Sequence, residues 1–101
     1  MNVRLDRAWL DGLIEGIVLV DGETVGWLNG SAAEILGVDR ERSLGAPLIA
    51  VLRDHRLERI ALEGGSERLV LRGRRLAARQ IGGGLALLDV TEASLGKERE
   101  R

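Results

Sequence analysis

Gly84-Leu85-Ala86-Leu87-Leu88-Asp89-Val90-Thr91-Glu92 is the stretch that decides the architecture of this chain. Its first half is an apolar run of strand length. Its second half changes character. Asp89 and Thr91 carry side-chain oxygens of the kind that accept hydrogen bonds from the free N–H groups opening a helix. Glu92 sets negative charge where a helix N-terminus is partly positive. Residues 93–101 are charged and helix-prone. A strand therefore hands over to a helix with almost no slack, and such a junction suits a transmitter of conformational change better than a catalyst.

Working backwards, Gly82-Gly83-Gly84 turns the chain out of a strand over residues 76–81. Flanking strands, and the lack of a following Lys and Ser/Thr, argue against a phosphate loop there. Gly73 marks another tight turn, before which Leu69 and Leu71 alternate with Arg68, Val70 and Arg72. At the other end, Ile17-Val18-Leu19-Val20 runs into Asp21-Gly22, a hairpin signal, and returns over residues 24–28. Asn29-Gly30-Ser31 breaks that strand, and Ser31 and Glu34 have the capping-box spacing of a short helix that stops at Gly37. Asp39 caps one further turn. Residues 48–63 are helical with a broken phase: Leu48, Val51 and Leu52 share one face, Leu57, Ile60 and Ala61 another, and Asp54 at the break caps the second piece. Ahead of all this, Leu5, Trp9 and Leu13, joined by Leu10 and Ile14, make an amphipathic helix that Gly16 ends. Two antiparallel groups of strands around a helical insert predict an α+β domain with one five-stranded sheet. The expected division is a flanking helix over 1–15, a core over 16–91 and the start of an output helix over 92–101.

Composition narrows the chemistry. The 101 residues suit one domain, with 45% hydrophobic residues and a net charge of −1. That balance creates no global field for nucleic acid or anionic membrane. The absence of cysteine excludes disulfides, thiolate catalysis and Cys-zinc sites. Phe and Tyr are absent, so the core is Leu, Ile, Val and Ala, with Trp9 and Trp27 as the aromatics. No apolar run approaches a membrane span and no secretory signal pattern opens the chain. A cytoplasmic location is expected, free or as part of a membrane-anchored protein.

The order and punctuation resemble a PAS domain, in particular the cytoplasmic PAS modules of bacterial sensor histidine kinases of the phosphate-sensing type. The resemblance covers residues 10–92. It rests on Gly16-Ile17-Val18-Leu19-Val20-Asp21, Trp27-Leu28-Asn29-Gly30-Ser31-Ala32-Ala33, Ile35-Leu36-Gly37, Leu44-Gly45-Ala46-Pro47-Leu48 and Leu87-Leu88-Asp89-Val90-Thr91-Glu92. It implies sheet order 2-1-5-4-3, helices on one face around a small cleft, and homodimerisation through the helix before the first strand. It also implies an output domain beyond the Asp-x-Thr pair. Asp89, Thr91 and Glu92 are then the relay junction, and Asn29 turns the second strand into the helices. Leu5, Trp9 and Leu13 are the candidate dimer contacts, although Trp9 serves equally well as a cover for the domain's own sheet.

Several residues carry a second meaning. The cleft, with an unidentified small ligand, would be lined by Leu36, Leu48, Val51, Leu52, Ile60 and Leu87, all of which serve equally as core. His55, the one histidine, corresponds in region to the heme ligand of some family members, but its charged neighbours Arg53, Asp54 and Arg56 suit a solvent-facing position. Arg72, Arg74, Arg75 and Arg79 cluster about a hairpin with no aromatic between them for base stacking. No acid pair, Ser-His-Asp set or metal cluster has usable spacing. The expectation is a signal-transduction module with no cofactor, no metal, no nucleic-acid partner and no catalytic residues. The alternatives are a passive dimerisation or interaction scaffold, and a PAS module of a cyclase or transcription regulator.

Overall fold

A computed structural model describes residues 15–91. The strands are β1 (Gly16–Asp21), β2 (Thr24–Leu28), β3 (Ser66–Leu71), β4 (Arg74–Ile81) and β5 (Gly84–Asp89). Between β2 and β3 lie four helices, α1 (Gly30–Leu36), α2 (Arg40–Ser43), α3 (Leu48–Leu52) and α4 (His55–Glu63). The strands form one sheet in the order β2-β1-β5-β4-β3. Every neighbouring pair is antiparallel. This is the α+β class that the sequence predicts, and the strand order is the one that the resemblance implies. The expected flanking helix, with Leu5, Trp9 and Leu13, and the expected exit helix, with Glu92, lie outside the described residues.

Because β1 and β5 pair at the centre, the first and last strands lie side by side. Gly16 is in register with Leu87, so the chain enters and leaves the sheet at the same end. A side chain cannot be accommodated at Gly16 without displacement, since its Cβ would lie 2.9 Å from Cα of Ala32 on α1. That close approach lets α1 sit directly over the start of β1.

Strand β2 contains a bulge. Leu19 pairs with Trp27 but Val20 pairs with Val25, leaving Gly26 as the extra residue. The bulge resets the pleat, so Val25 and Leu28, three residues apart, both enter the helix-covered core while Trp27 points to the opposite face. The β2 edge is also covered. Thr24 bridges to Pro47, the Val25 amide donates to the Ala46 carbonyl at 3.0 Å, and the Gly45 amide donates to the Val25 carbonyl at 2.8 Å. At the other end of the order, β3 has β4 as its one sheet partner.

The main core lies between the helices and one sheet face. Val18, Leu69, Leu71, Leu76, Ala78, Leu85 and Leu87 meet Leu36, Leu48, Val51, Leu52, Leu57 and Ile60 there. On the opposite face Ile17, Trp27 and Ala86 form a smaller buried group, against which Leu19 and Ile81 pack. The broken phase of residues 48–63 is real: α3 ends at Arg53, and Asp54 caps α4 by accepting from the Arg56 and Leu57 amides. The Arg56 guanidinium returns to the same carboxylate at 2.9 Å and holds the Asp54 carboxyl below its usual range. Asp39 likewise caps α2.

One expectation is corrected. Ser31 and Glu34 do not form the capping box that opens α1. The helix begins at Gly30, and its cap is Asn29, whose side chain accepts from the Ala32 amide. A buried asparagine bonded to the preceding sheet sets the cap two residues before the serine.

Candidate functional site: the entry and exit of the sheet

Asp89 ends β5 on the helix-covered face, where it follows Leu85 and Leu87 at two-residue spacing. Its carboxylate is held twice. Oδ1 accepts from the Thr91 amide at 3.0 Å, and Oδ2 accepts from Nη1 of Arg74 at 3.1 Å. Thr91 Oγ1 accepts from the Arg75 amide at 2.7 Å, and the Val90 amide donates to the Arg75 carbonyl at 2.8 Å. Asp89, which forms the last ladder pair with Leu76, and the two residues after it are thus stitched to β4. Here the structure refines the sequence prediction. Asp89 satisfies the first free amide beyond the strand, as a cap does. Thr91 instead turns its oxygen to the neighbouring strand, so the backbone leaving the sheet is bonded to β4.

Burial by itself would push the Asp89 carboxyl up. The Thr91 amide and hydroxyl and the Arg74 guanidinium outweigh it and hold the group below its ordinary 3.8. The sign follows. A carboxyl with a depressed folded value contributes stability above the unfolded value, and that contribution is lost as pH falls through the folded one. The Thr91 amide is therefore expected to titrate in an NMR pH series with a midpoint below 3.8, and its protection from hydrogen exchange to fall as that midpoint is crossed. A midpoint at or above 3.8 would contradict the clamp.

The entry lies beside this exit. Asn29 is fully buried. Its Oδ1 accepts from the Ile17 amide and the Ala32 amide, each at 2.9 Å, and its Nδ2 donates to the Glu15 carbonyl at 3.1 Å. One side chain therefore joins the start of β1, the end of β2 and the start of α1. Glu15 is tied in turn to Arg79 on β4, whose Nη2 lies 3.0 Å from Oε2. Strand β4 thus contacts both the residue entering the sheet and the residues leaving it.

The remaining candidates fall elsewhere. Leu36, Leu48, Val51, Leu52, Ile60 and Leu87 come together as expected, but as packed core with exposures of 0–4%. Two depressions are found on the opposite side of the domain, and neither is lined by any of the six. His55 is 89% exposed and pairs with Glu58 at 3.5 Å, which is the solvent-facing position. The arginine hairpin does not act as one patch. Arg74 serves Asp89, Arg79 serves Glu15 and Arg72 reaches α1. The Arg40 guanidinium stands over the Trp27 ring, 5.4 Å from its centre.

Arg74, Arg75 and Glu15 are the members of the site that the sequence prediction lacked. The signal for the arginines is hairpin arithmetic. The β4–β5 loop is Gly82-Gly83, with Ile81 opposite Gly84. Counting outward from it sets Arg75 and Arg74 beside Val90 and Thr91. With Gly84 counted into the turn, that register is lost. No family model and no curated protein matches this chain.

Proposed function

We propose that this chain is a cytoplasmic PAS-type sensory and dimerisation module of a bacterial signal-transduction protein, a sensor histidine kinase either free or membrane-anchored, which passes a conformational change to an output helix. The observation that carries the proposal is the double clamp of Asp89 and Thr91 onto β4, beside the entry latch at Asn29. Input arriving at residue 15, or ligand occupancy in the helical layer, shifts β4 and the central strands between two arrangements. The clamp converts that shift into a movement of the chain beyond Thr91. Homodimerisation through the segment holding Leu5, Trp9 and Leu13 supplies the second copy that such relays need. The role is binding and transmission, without catalysis by this domain.

The double variant Asp89→Ala/Thr91→Ala, in the intact signalling protein, tests this. The domain is expected to remain folded, because the core is untouched. The signal-dependent change in output is expected to fall by roughly 5–150-fold, the scale of a coupling of about 1–3 kcal/mol. An undiminished response from a folded variant would refute the relay.

A second reading is a passive dimerisation or docking scaffold that senses nothing. The complete burial of the six cleft candidates favours it. The same variant separates the two, since a scaffold would keep both assembly and output unchanged.

A further inference from the structure

Two arginines that the junction does not use meet at the C-terminal end of α1. Arg53, the residue closing α3, donates from Nη2 to the Leu36 carbonyl at 2.8 Å. Arg72, in the β3–β4 turn, donates from Nη1 to the same oxygen. The two guanidiniums flank Gly37, where a Cβ would meet Nη1 of Arg72 at 2.5 Å and Nη2 of Arg53 at 4.0 Å. Both arginines are exposed. Neither is ion-paired among the described residues. The adjacent Asp54 is engaged by Arg56.

Both also hold left-handed backbone, with φ of 56° at Arg53 and 51° at Arg72. Glycine and asparagine suit such positions far better than arginine. Arg72-Gly73 is a two-residue hairpin loop with both φ values positive, the geometry for which Asn-Gly is the preferred pair. A single donor would satisfy the helix-end carbonyl. The second adds a like charge and a second residue in a strained conformation, and the partial charge at a helix end does not balance two cations. Each guanidinium carries five N–H donors, of which the carbonyl takes one. What the pair lacks is a doubly charged acceptor.

We propose that Arg53 and Arg72 form a binding site for a phosphate-class oxyanion, either inorganic phosphate or a phosphate monoester. Two forked cations match the charge of a dianion, and a tetrahedral phosphate offers separate oxygens to each fork. The groups that form the site, at α1 and the two turns, are not those that hold Asp89 and Thr91, whose partners are Arg74 and Arg75. Its failure would leave the relay test untouched, and the converse also holds.

The experiment is an NMR titration of the whole chain with inorganic phosphate, repeated with phosphoserine and with sodium chloride at matched ionic strength. Saturable shifts are expected at the amides of Leu36, Gly37, Arg53, Arg72 and Gly73. Saturation by inorganic phosphate assigns the free ion, and tighter saturation by phosphoserine assigns a monoester. A response equal to that of chloride, or saturable shifts confined to other residues, would overturn the site. Arg53→Asn and Arg72→Asn both suit left-handed backbone and preserve the fold. Each is expected to weaken binding about tenfold or more, as loss of one charge-assisted fork requires. Undiminished binding by the double variant would equally overturn it.

Discussion

Replacing Asn29 by alanine is expected to lower the unfolding free energy by about 3–5 kcal/mol, since each buried group left without a partner costs about 1–3 kcal/mol. Three groups lose their partner together: the Ile17 amide, the Ala32 amide and the Glu15 carbonyl. The side chain is fully buried, so water does not replace it without opening the end of the sheet. For a domain of this size the loss corresponds to a fall in Tm of roughly 15–30 °C. Thermal and urea unfolding measure it. Asn29→Ser separates the cap from the latch. Serine supplies an oxygen for the Ala32 amide, but its shorter side chain cannot also span to the Ile17 amide and the Glu15 carbonyl, so it is expected to restore only about 1 kcal/mol. Full recovery with serine would show that the bonds to β1 contribute nothing.

The second large effect is at Gly84, the first residue of β5, opposite Leu19 of β1. A Cβ there would overlap the Val18 carbonyl oxygen and lie 3.0 Å from Cα of Leu19. The obstacle is backbone in the central strand pair, which cannot rotate aside as a side chain can. Gly84→Ala is expected to cost about 3 kcal/mol, the upper part of the range for overpacking a filled interior. Gly84→Val should leave little folded protein. Gly82→Ala is the control: its Cβ would meet nothing within 4 Å and its backbone is not left-handed. It is expected to change stability by less than about 0.5 kcal/mol, as ordinary surface changes do. Equal destabilisation at Gly82 and Gly84 would mean that the close approach to β1 is not the cause.

Much of this fold is legible in the chain because its signals are local. The Asp54 break, the Asp39 cap and the Gly37 stop each depend on a few neighbouring residues, and each stands as predicted. The capping box at Ser31 failed because the true cap is chosen by distance in space. Asn29 bonds to Ile17, twelve residues away, and no pattern within α1 announces that bond. The β2 bulge was invisible for a similar reason. Gly26 in a strand marks it only once the register with Val20 and Leu19 is known. At the junction, Asp89 and Thr91 declared themselves through their chemistry. Their partners Arg74 and Arg75 were hidden in an arginine-rich hairpin, where register alone shows that Arg74 meets Asp89 with its side chain and Arg75 meets Thr91 with its backbone amide. The six cleft candidates show the limit of hydrophobic pattern: it identifies what is buried and says nothing of whether the space between is filled.

The two ends of the strand order have unlike fates. On the β2 side, the loop carrying Ala46 and Pro47 already occupies the outward hydrogen-bonding groups. On the β3 side, among the described residues, those groups have no strand beside them. A sheet that can be extended along one rim alone does not template a fibril, since each added copy must offer a free rim to the next. Pairing through β3 would consume the free rim of both molecules and stop at two. The loop at Pro47 thus leaves the sheet a single open rim, the six-residue edge of β3, too few for an endless ladder.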